Sequence, residues 1–600
     1  MKQLTPMDSH FYYFEGPNQP MMIGSLWLCD QSTAPDGIVR HKEILQYISD
    51  RLNTTSYFRR RLEQAPFQLD DPYWLEDENF DLEYHVRHVG LPQPGDWRQL
   101  CIFTARTMSR SVDMERAPWE VYIIEGVNNV EGVPPNSFAV LIRFHHAYVD
   151  GKSSLELSTA LMEETSAHEY GRRDRVEVAE RAPTRLEMWA RTAPRMVGQT
   201  FRSVKAGFDF SRKSLELANL FRKEGLPDQR RVPKTIFNTA VSPHRSYGAH
   251  SWVIPELKRM RQLHKGASLN DVLLAVIAGG MRRYLAKHNQ LPAKDSLVSM
   301  CPVSIRPEDS KVEGGNLISA MYIAIGTNVA DPVERLQVIQ ARTARGIPIA
   351  KEILCDLSNA AGDLMPPAMR ALGAWVQNKT HVTSTLPLIN TVITNVPGIP
   401  GNTTRYFAGA AIRDVFPLVP VCDGMAISHG MTGIYDRLNL GVVADRGVVP
   451  DMDFYIECMQ ASTEEYLQAT ETFEAMAYAA AAEQLKAAKA AKAVEKTESA
   501  LVAKEAGSQS SAPKAQVASK PKRAPAKAKA KVTPKKATAK PAASVDDPAS
   551  QPTARKHLEA VPKTSIASTS ATKSSLADQT SASIVSAAES APEQRKQDGR

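Results

Sequence analysis

The chain has 600 residues, of which 43% are hydrophobic and 23% charged, and its formal net charge is +7. That length allows more than one domain with a substantial core. No uncharged apolar run reaches the roughly 18 residues that a membrane-spanning helix needs, and the first residues lack the apolar stretch of a signal peptide, so we expect a cytoplasmic protein. The six cysteines are scattered without a Cys-x-x-Cys pair, which predicts reduced thiols and no metal site.

The first part of the chain alternates between strand-like and helix-like stretches. Apolar residues recur at three- and four-residue spacing over 38–52, which predicts a helix. Residues 74–89 are predicted to be extended, and the spacing of His85 and His88 would put these two on opposite faces of a strand, as structural residues. A turn at Arg116-Ala117-Pro118 then leads into a further strand.

A pair of histidines follows a predicted buried strand over residues 138–144. The order is His145-His146, then three residues, then Asp150-Gly151, which is a turn dipeptide. Successive strand residues point to opposite faces, so only one of the two imidazoles can serve a given site. A neutral imidazole there can take a proton from a hydroxyl and return it later. A chance His-His pair beside an ordinary turn is the alternative, but the complete pattern is more specific.

A basic, amphipathic helix or helix pair is predicted over residues 181–235, where Trp, Phe, Met and Val recur between Arg and Lys. Such a helix can pack on its own protein as a linker. It can also lay its apolar side on a lipid surface while its cations meet anionic head groups. Both interpretations stay open at this stage.

Two further clusters lie in the second half of the chain. Ser268-Leu-Asn270-Asp271 opens an apolar helix, where capping competes with an amide that helps to hold a reacting carbonyl. A predicted strand ends in Asn395-Val-Pro397-Gly398, a Pro-Gly turn.

The basicity of the chain belongs to its last segment. Residues 481–600 carry 22 basic and 11 acidic side chains, which leaves residues 1–480 with a net charge of −4. Residues 477–493 could extend a helix, but the Ala/Lys/Pro-rich composition beyond them cannot bury enough apolar surface to fold, so we predict a disordered tail. Through charge alone it could bind anionic lipid or nucleic acid non-specifically, and a solvating tail with no single partner is the alternative.

The His-His-x-x-x-Asp-Gly motif resembles the signature of acyltransferases with the chloramphenicol-acetyltransferase fold. The opening Leu4-Thr-Pro6-Met-Asp8, the Asn270-Asp271 pair, Pro302-Val-Ser-Ile-Arg306 and the 395–398 turn are similar to the bacterial wax ester synthase/diacylglycerol acyltransferase family. This family usually has Arg-Pro-Leu-Trp-Glu where the chain has Arg116-Ala-Pro-Trp119-Glu120. The two replaced positions, Ala117 and Pro118, therefore carry no transferred role.

The resemblance implies a mixed α/β fold of two lobes, each with a mixed sheet flanked by helices, and one active site between them. The segments expected are an N-terminal lobe (1–180), a connector (181–235), a C-terminal lobe (236–475) and the basic tail (476–600). It also implies an O-acyltransferase that moves a long-chain fatty acyl group from acyl-CoA to diacylglycerol or a fatty alcohol. Acyl-CoA is a substrate, and no cofactor or metal is expected. Contact with a membrane or lipid-droplet surface is expected from the substrates.

The resemblance also assigns roles to residues. His146 is the expected general base, with His145, Asp150 and Gly151 completing the catalytic motif. Asp150 is expected in a structural ion pair, for which Arg306 is a candidate. Asn270 and Asp271 are expected to support the oxyanion, and the structural motif residues are Trp119, Glu120, Arg306, Asn395, Pro397 and Gly398.

Three alternatives remain open on the sequence. A peptide-synthetase condensation domain shares the histidine motif, although the chain has no carrier or adenylation module. A related acyltransferase could use another lipid hydroxyl. A scaffold on lipid granules would act through the basic tail.

Overall fold

The computed structural model describes residues 2–52, 57–148, 158–167, 183–224, 232–304, 318–354, 357, 364–399 and 401–508. Contacts divide the chain into residues 1–507 and 508–600, and the description below concerns the first unit. Asp150, Gly151, Arg306 and the predicted tail beyond Ser508 lie outside the described residues.

The N-terminal half alternates strands and helices, as the sequence predicts. Its elements are β1 (Lys2–Gln3), α1 (Pro6–Phe14), β2 (Met22–Asp30), α2 (His41–Leu52), β3 (Arg60–Glu63), β4 (Tyr73–Glu76), α3 (Leu82–His85), β5 (Val86–Gly90), α4 (Trp97–Met108), β6 (Trp119–Val127) and β7 (Ser137–His145). The extended segment predicted over 74–89 is wrong in its middle, where Asp81 caps the single turn of α3 by accepting from the Glu83 N–H. His85 therefore ends a helix and does not lie on a strand.

In the described part of the connection between the halves, the chain forms helix α5 (Arg185–Glu224), and the second half again mixes the two kinds of element. These are β8 (Arg245–Val253), α6 (Ile254–Met260), α7 (Leu269–Lys287), β9 (Val298–Ser304), β10 (Ile318–Ala324), α8 (Pro332–Ile349), α9 (Pro367–Thr380), α10 (Val382–Thr385), β11 (Thr391–Val396), β12 (Tyr406–Phe407), β13 (Ala410–Leu418), β14 (Ile427–Ile434), β15 (Arg437–Asp445) and α11 (Met452–Ser508).

Two six-stranded mixed sheets organise the fold, together with a small sheet in the order β1-β4-β3. The first large sheet has the order β12-β13-β2-β7-β6-β5 and the second β10-β9-β11-β14-β15-β8. Parallel pairs occur between β5 and β6, between β9 and β11, and between β11 and β14. Strands β12 and β13 come from the second half of the chain, yet β13 pairs with β2 of the first half. The fold class predicted from the sequence is confirmed, and one sheet is shared by both halves.

The C-terminal core surrounds α7, whose middle is buried on all sides. A Cβ on Gly279 would lie 2.2 Å from the Ser462 hydroxyl, and one on Gly280 would lie 2.5 Å from the Met459 side chain. Glycine at these two positions therefore lets α7 and α11 approach closely. The first sheet separates two further clusters, one on each face.

Helix α11 extends beyond the predicted start of the disordered tail at residue 476, reaching Ser508. The prediction rested on the loss of apolar periodicity, and side chains beyond Thr470 are indeed almost all exposed. However, the segment is rich in Ala, Lys and Glu and has neither Gly nor Pro before Gly507. High intrinsic helix propensity therefore continues the helix where packing ends.

None of the helices in the described ranges combines the length and the apolar character needed to cross a membrane.

Candidate active site

The two histidines lie where β7 ends and the chain turns. Every residue of β7 is buried between β2 and β6. The His145 N–H donates to the Pro118 carbonyl at 2.9 Å, and the His146 N–H donates to the Met21 carbonyl at 2.7 Å. The Tyr148 N–H then donates back to the His145 carbonyl at 2.8 Å. Backbone bonds to both neighbouring segments thus fix the position of the pair.

His145 is fully buried, with one ring nitrogen hydrogen-bonded and the other facing a carboxylate. Its Nδ1 accepts from the Ala147 N–H at 3.1 Å, so the ring hydrogen lies on Nε2, which is 3.4 Å from Glu15 Oε2. Burial raises the pKa of Glu15, but hydrogen bonds from His145, from Ser111 and from the Met21 N–H outweigh it and lower that pKa overall. A charged Glu15 therefore orients His145.

His146 is only partly buried. Its ring stacks on Phe11 with a centroid distance of 3.8 Å and an interplanar angle of 10°. The structure thus separates the two histidines as the alternation of strand residues predicts: one is packed and anchored, and the other is accessible. Phe11 and Glu15, one on α1 and one just after it, each contact one of them.

Helix α1 is itself held by the second half of the chain. Arg370 on α9 donates to the Pro6 carbonyl at 2.9 Å, to the Ser9 hydroxyl, and to both carboxylate oxygens of Asp71 at 2.8 Å. After α1, Gln19 donates to the Phe14 carbonyl at 2.8 Å and accepts from the Asp423 N–H at 3.1 Å. Residues of the C-terminal half therefore position the segment that covers the histidines.

Trp119 and Glu120 build the support beneath β7. Trp119 is buried, donates from its indole to the Phe58 carbonyl at 2.8 Å, and stacks on His85 at 4.6 Å. Glu120 forms a buried ion pair with Arg143, with Oε2 2.9 Å from Nε. His85 is structural, as predicted, although it does not lie on a strand.

The departure from the family pattern at Ala117 and Pro118 leaves this support in place. Ala117 is buried in the core. Pro118 contributes its carbonyl, which accepts from the His145 N–H. A main-chain contact of this kind does not depend on the side chain.

The two asparagine motifs of the second half meet. The Asn395 amide donates to Asn270 Oδ1 at 2.8 Å. Asp271 instead completes a capping box: its Oδ2 accepts from the Ser268 N–H and hydroxyl, each at 2.7 Å, and its Oδ1 accepts from Thr343 at 2.5 Å. Asp271 thus has the capping role that the sequence left open, and Asn270 remains exposed on the first turn.

The turn after Asn395 depends on close backbone contact. A Cβ on Gly398 would lie 2.8 Å from the Gly433 carbonyl oxygen. The Pro397 carbonyl accepts from the Thr432 hydroxyl at 3.4 Å. Both residues are therefore structural in the described part of the chain.

Sequence reasoning missed several residues around the site. Glu15, Gln19 and Arg370 carry no local signal, because each acts through a partner far away in sequence. His381, in the left-handed region at φ 50, has its Nδ1 2.6 Å from Asp423 Oδ2. Asp423 also links this pair to Gln19, because its N–H donates to the Gln19 side-chain oxygen.

A cavity of about 670 Å³ lies elsewhere, between the two large sheets. Leu28, Trp97, Trp252, Phe416 and Arg437 are among its lining residues. On β2, Leu28 pairs with Ala139, whereas Met22 pairs with His145. Six residues of strand separate the two positions, which is about 20 Å. This cavity is therefore not the histidine site. Among the residues that the structure describes, no three His, Cys, Asp or Glu side chains are grouped to hold a metal ion.

Comparisons with known proteins cover most of the chain. The sequence model of the wax ester synthase/diacylglycerol acyltransferase catalytic domain matches residues 4–273, and that of the C-terminal domain of the same family matches residues 314–466. The chain is 31% identical over 464 residues to the O-acyltransferase WSD of Acinetobacter baylyi, which covers 75% of this chain and 94% of that one. It is 28% identical over 485 residues to the probable diacylglycerol O-acyltransferase tgs2 of Mycobacterium tuberculosis, covering 78% and 99%.

Among solved structures, the wax ester synthase/diacylglycerol acyltransferase of Marinobacter aquaeolei VT8 matches with a TM-score of 0.55 and 24% identity, over 78% of this chain and 100% of that one. This likeness shows a shared fold. The two domain models and the Acinetobacter relative confirm the acyltransferase predicted from the motifs: the chain belongs to the wax ester synthase/diacylglycerol acyltransferase family.

Proposed function

We propose that the protein transfers a long-chain fatty acyl group from acyl-CoA to the hydroxyl of diacylglycerol or of a long-chain fatty alcohol. The observation that carries this proposal is the accessible His146 beside a buried, anchored His145 in a chain of this family. Its relatives are named for O-acyl transfer and for diacylglycerol. The five cysteines in the described ranges are free thiols, which suits a reducing cytosol.

His146 acts as the general base in this mechanism. It takes the proton of the acceptor hydroxyl as that oxygen attacks the thioester carbonyl carbon. The tetrahedral intermediate then collapses, the carbon–sulfur bond breaks, and His146 returns the proton to the coenzyme A thiolate. A ternary complex suffices, so no acyl-enzyme is formed and no nucleophilic Ser or Cys is required.

His145 and Asn270 have supporting roles. His145 holds the turn in place through Glu15 and Ala147 and does not exchange protons with the substrate. The hydrogen bond from Asn395 occupies Asn270 Oδ1, which leaves the Asn270 amide hydrogens to donate to the developing oxyanion. The ion pair between Asp150 and Arg306, which the sequence predicts, stays a hypothesis.

Coenzyme A release tests the proposal. Purified protein is supplied with palmitoyl-CoA and either dioleoylglycerol or hexadecanol, in detergent. His146→Ala should lower kcat by about 10²- to 10⁴-fold or more, the usual range for a general base. The matched control is His244→Ala, because His244 is exposed and lies outside the site. Equal loss in both variants, or turnover retained by His146→Ala, would refute the assignment. Silence of the folded wild type with both acceptors would point to another hydroxyl.

We also propose that the protein works at a membrane or lipid-droplet surface, where both acceptors reside, and that residues 509–600 add non-specific binding to anionic lipid or nucleic acid. Their Lys/Arg excess supports this. A chain that ends at Ser508 keeps α11 whole and tests the tail alone. Its binding to anionic vesicles and to duplex DNA should weaken, and unchanged binding would assign the tail no such role.

A further inference from the structure

We propose that the outward face of α9, together with Phe67 and the adjoining side of α5, is the surface by which this protein docks on an anionic phospholipid layer. The proposal rests on the function proposed above, because a lipid acceptor gives docking its purpose. It names a surface that sequence patterning did not single out, since only α5 was considered there.

Helix α9 has two opposite faces. Pro367, Arg370, Ala374 and Gln377 are buried, and this face packs on α1. The other face is apolar, and it is exposed because nothing in the described chain covers it. Its large members, in the helix and the segments flanking it, are Met365, Met369, Leu372, Trp375, Val376, Val382, Leu386 and Leu388.

Spacing shows that the exposed residues form a stripe. Within α9, positions 369, 372 and 376 follow each other at intervals of three and four, which places them on one side of the helix, and Met365 lies just before its first turn. Leu372 is 60% exposed and Trp375 is 58% exposed. A contiguous apolar surface of this kind on a water-exposed helix marks an interaction site.

The surface continues onto neighbouring elements. Phe67, in the turn Pro66–Gln68, is 80% exposed and has a positive φ of 54°. This turn contacts both α9 and α5. The Phe67 ring lies 5.9 Å from the ring of Trp189 on α5. The exposed Phe67 ring therefore extends the apolar surface from α9 towards α5.

Charge identifies the partner as an anionic lipid surface. No Asp or Glu occurs between Asp363 and Asp414, whereas Lys379 is exposed at the end of α9. Helix α5 carries nine Arg and Lys against four Asp and Glu. Apolar side chains flanked by an excess of cations over carboxylates match a layer whose interior is apolar and whose head groups are negative.

The same helix joins this surface to the site. Its buried face holds α1 through Arg370, and α1 carries Phe11 against His146. Docking through α9 would therefore bring the lipid layer next to the element that covers the catalytic histidine.

Vesicle flotation of the full chain tests the proposal. Vesicles of phosphatidylcholine alone are compared with an equimolar mixture of phosphatidylcholine and phosphatidylglycerol. The test variant is Leu372→Ser/Trp375→Ser. The matched control is Met476→Ser/Tyr478→Ser, which removes two apolar side chains, 67% and 80% exposed, from α11. We expect the wild type and the control to float with the mixed vesicles, and the test variant to bind about tenfold or more weakly.

Tryptophan emission gives an independent reading. The emission of Trp375, obtained by subtracting the spectrum of Trp375→Phe from that of the wild type, should shift to shorter wavelength with mixed vesicles. Brominated lipid chains should quench it. Equal binding of the test and control variants, or a Trp375 signal that ignores vesicles, would overturn the proposal. So would self-association that only the test variant loses, since the face would then join two copies.

Turnover separates this proposal from the function on which it rests. With acceptor dissolved in detergent, the test variant should keep wild-type kcat, and with acceptor in vesicles it should lose activity. A wild type that is inactive on dissolved acceptor would count against the proposed function, while the flotation result would stand by itself.

Discussion

Replacing Arg370 with Met should release α1 from the rest of the protein. The Arg370 guanidinium makes a bidentate pair with Asp71 and further bonds to the Pro6 carbonyl and the Ser9 hydroxyl. The side chains of Arg370 and Asp71 are 5% and 11% exposed. Methionine keeps much of the volume but leaves the Asp71 carboxylate buried without its cation.

Removing one partner of a buried pair costs about 3–5 kcal/mol. The pair with Asp71 joins α9 to the segment before β4, whereas the bonds to the Pro6 carbonyl and the Ser9 hydroxyl join α9 to α1. Hydrogen bonds to a charged group contribute about 1.5–3 kcal/mol, and we expect this part of the cost to fall on local opening of α1. Each 1.4 kcal/mol is about tenfold in an equilibrium, so the amides of residues 7–14 should exchange with solvent roughly 10- to 10²-fold faster. Loosening α1 also frees Phe11 and Glu15, so kcat should fall as well.

Hydrogen exchange of the intact protein measures this effect, and Arg259→Met is the matched control. Arg259 also makes a bidentate pair, with Glu474, but there the side chains are 41% and 38% exposed. Solvent screens exposed pairs, which therefore contribute little to stability, so this variant should leave the exchange of α1 unchanged. Equal protection of residues 7–14 in the two variants would refute the reasoning. Additive effects of Asp71→Asn and Arg370→Met would do the same, since paired groups must be coupled.

Three further predictions concern the histidines and the end of the chain. Burial lowers the pKa of His429 to about 3, so between pH 6.5 and that value only the unfolded chain takes up the proton. The free energy of unfolding should therefore fall by about 2 kcal/mol between pH 7.5 and 5. In His429→Asn the melting temperature should change less over the same pH range. Glu15→Ala should lower kcat and cost about 1–3 kcal/mol, because the buried His145 N–H loses its acceptor, whereas Glu15→Gln should retain most activity; equal kcat in the two would contradict this role. A chain that ends at Ser508 should keep full turnover on detergent-dissolved substrates, and a loss there would show that the tail takes part in folding or catalysis.

Local patterns predicted the elements because burial leaves a local periodicity. The helix predicted over 38–52 is α2 (His41–Leu52), and the strand predicted over 138–144 is β7. The capping box at Ser268 and Asp271 could also be foreseen, since both partners lie within one turn. In α11, by contrast, the helical extension that the sequence allows over 477–493 stops short of the observed end at Ser508, because periodicity was weighed above propensity.

Long-range contacts could not be predicted in this way. Nothing local tells that β13 will pair with β2, or that Arg370 will bind Asp71, which lies 299 residues away. Glu15 is similar: an isolated glutamate after a short helix is ordinary until the fold brings His145 beside it. The motif could therefore predict that one histidine is packed and the other more exposed, but not which residues hold the pair in place.

Helix α9 buries the face that a sequence pattern would place outside. A stretch with apolar residues on one face and Arg370, Ala374 and Gln377 on the other would ordinarily be placed with its apolar face inward. Here that face is buried because Arg370 on it bonds to α1, and the apolar face is left outside. Variants of the two faces should therefore separate two functions. Arg370→Met should lower kcat on any acceptor, whereas Leu372→Ser/Trp375→Ser should lower only the use of acceptor held in a lipid layer.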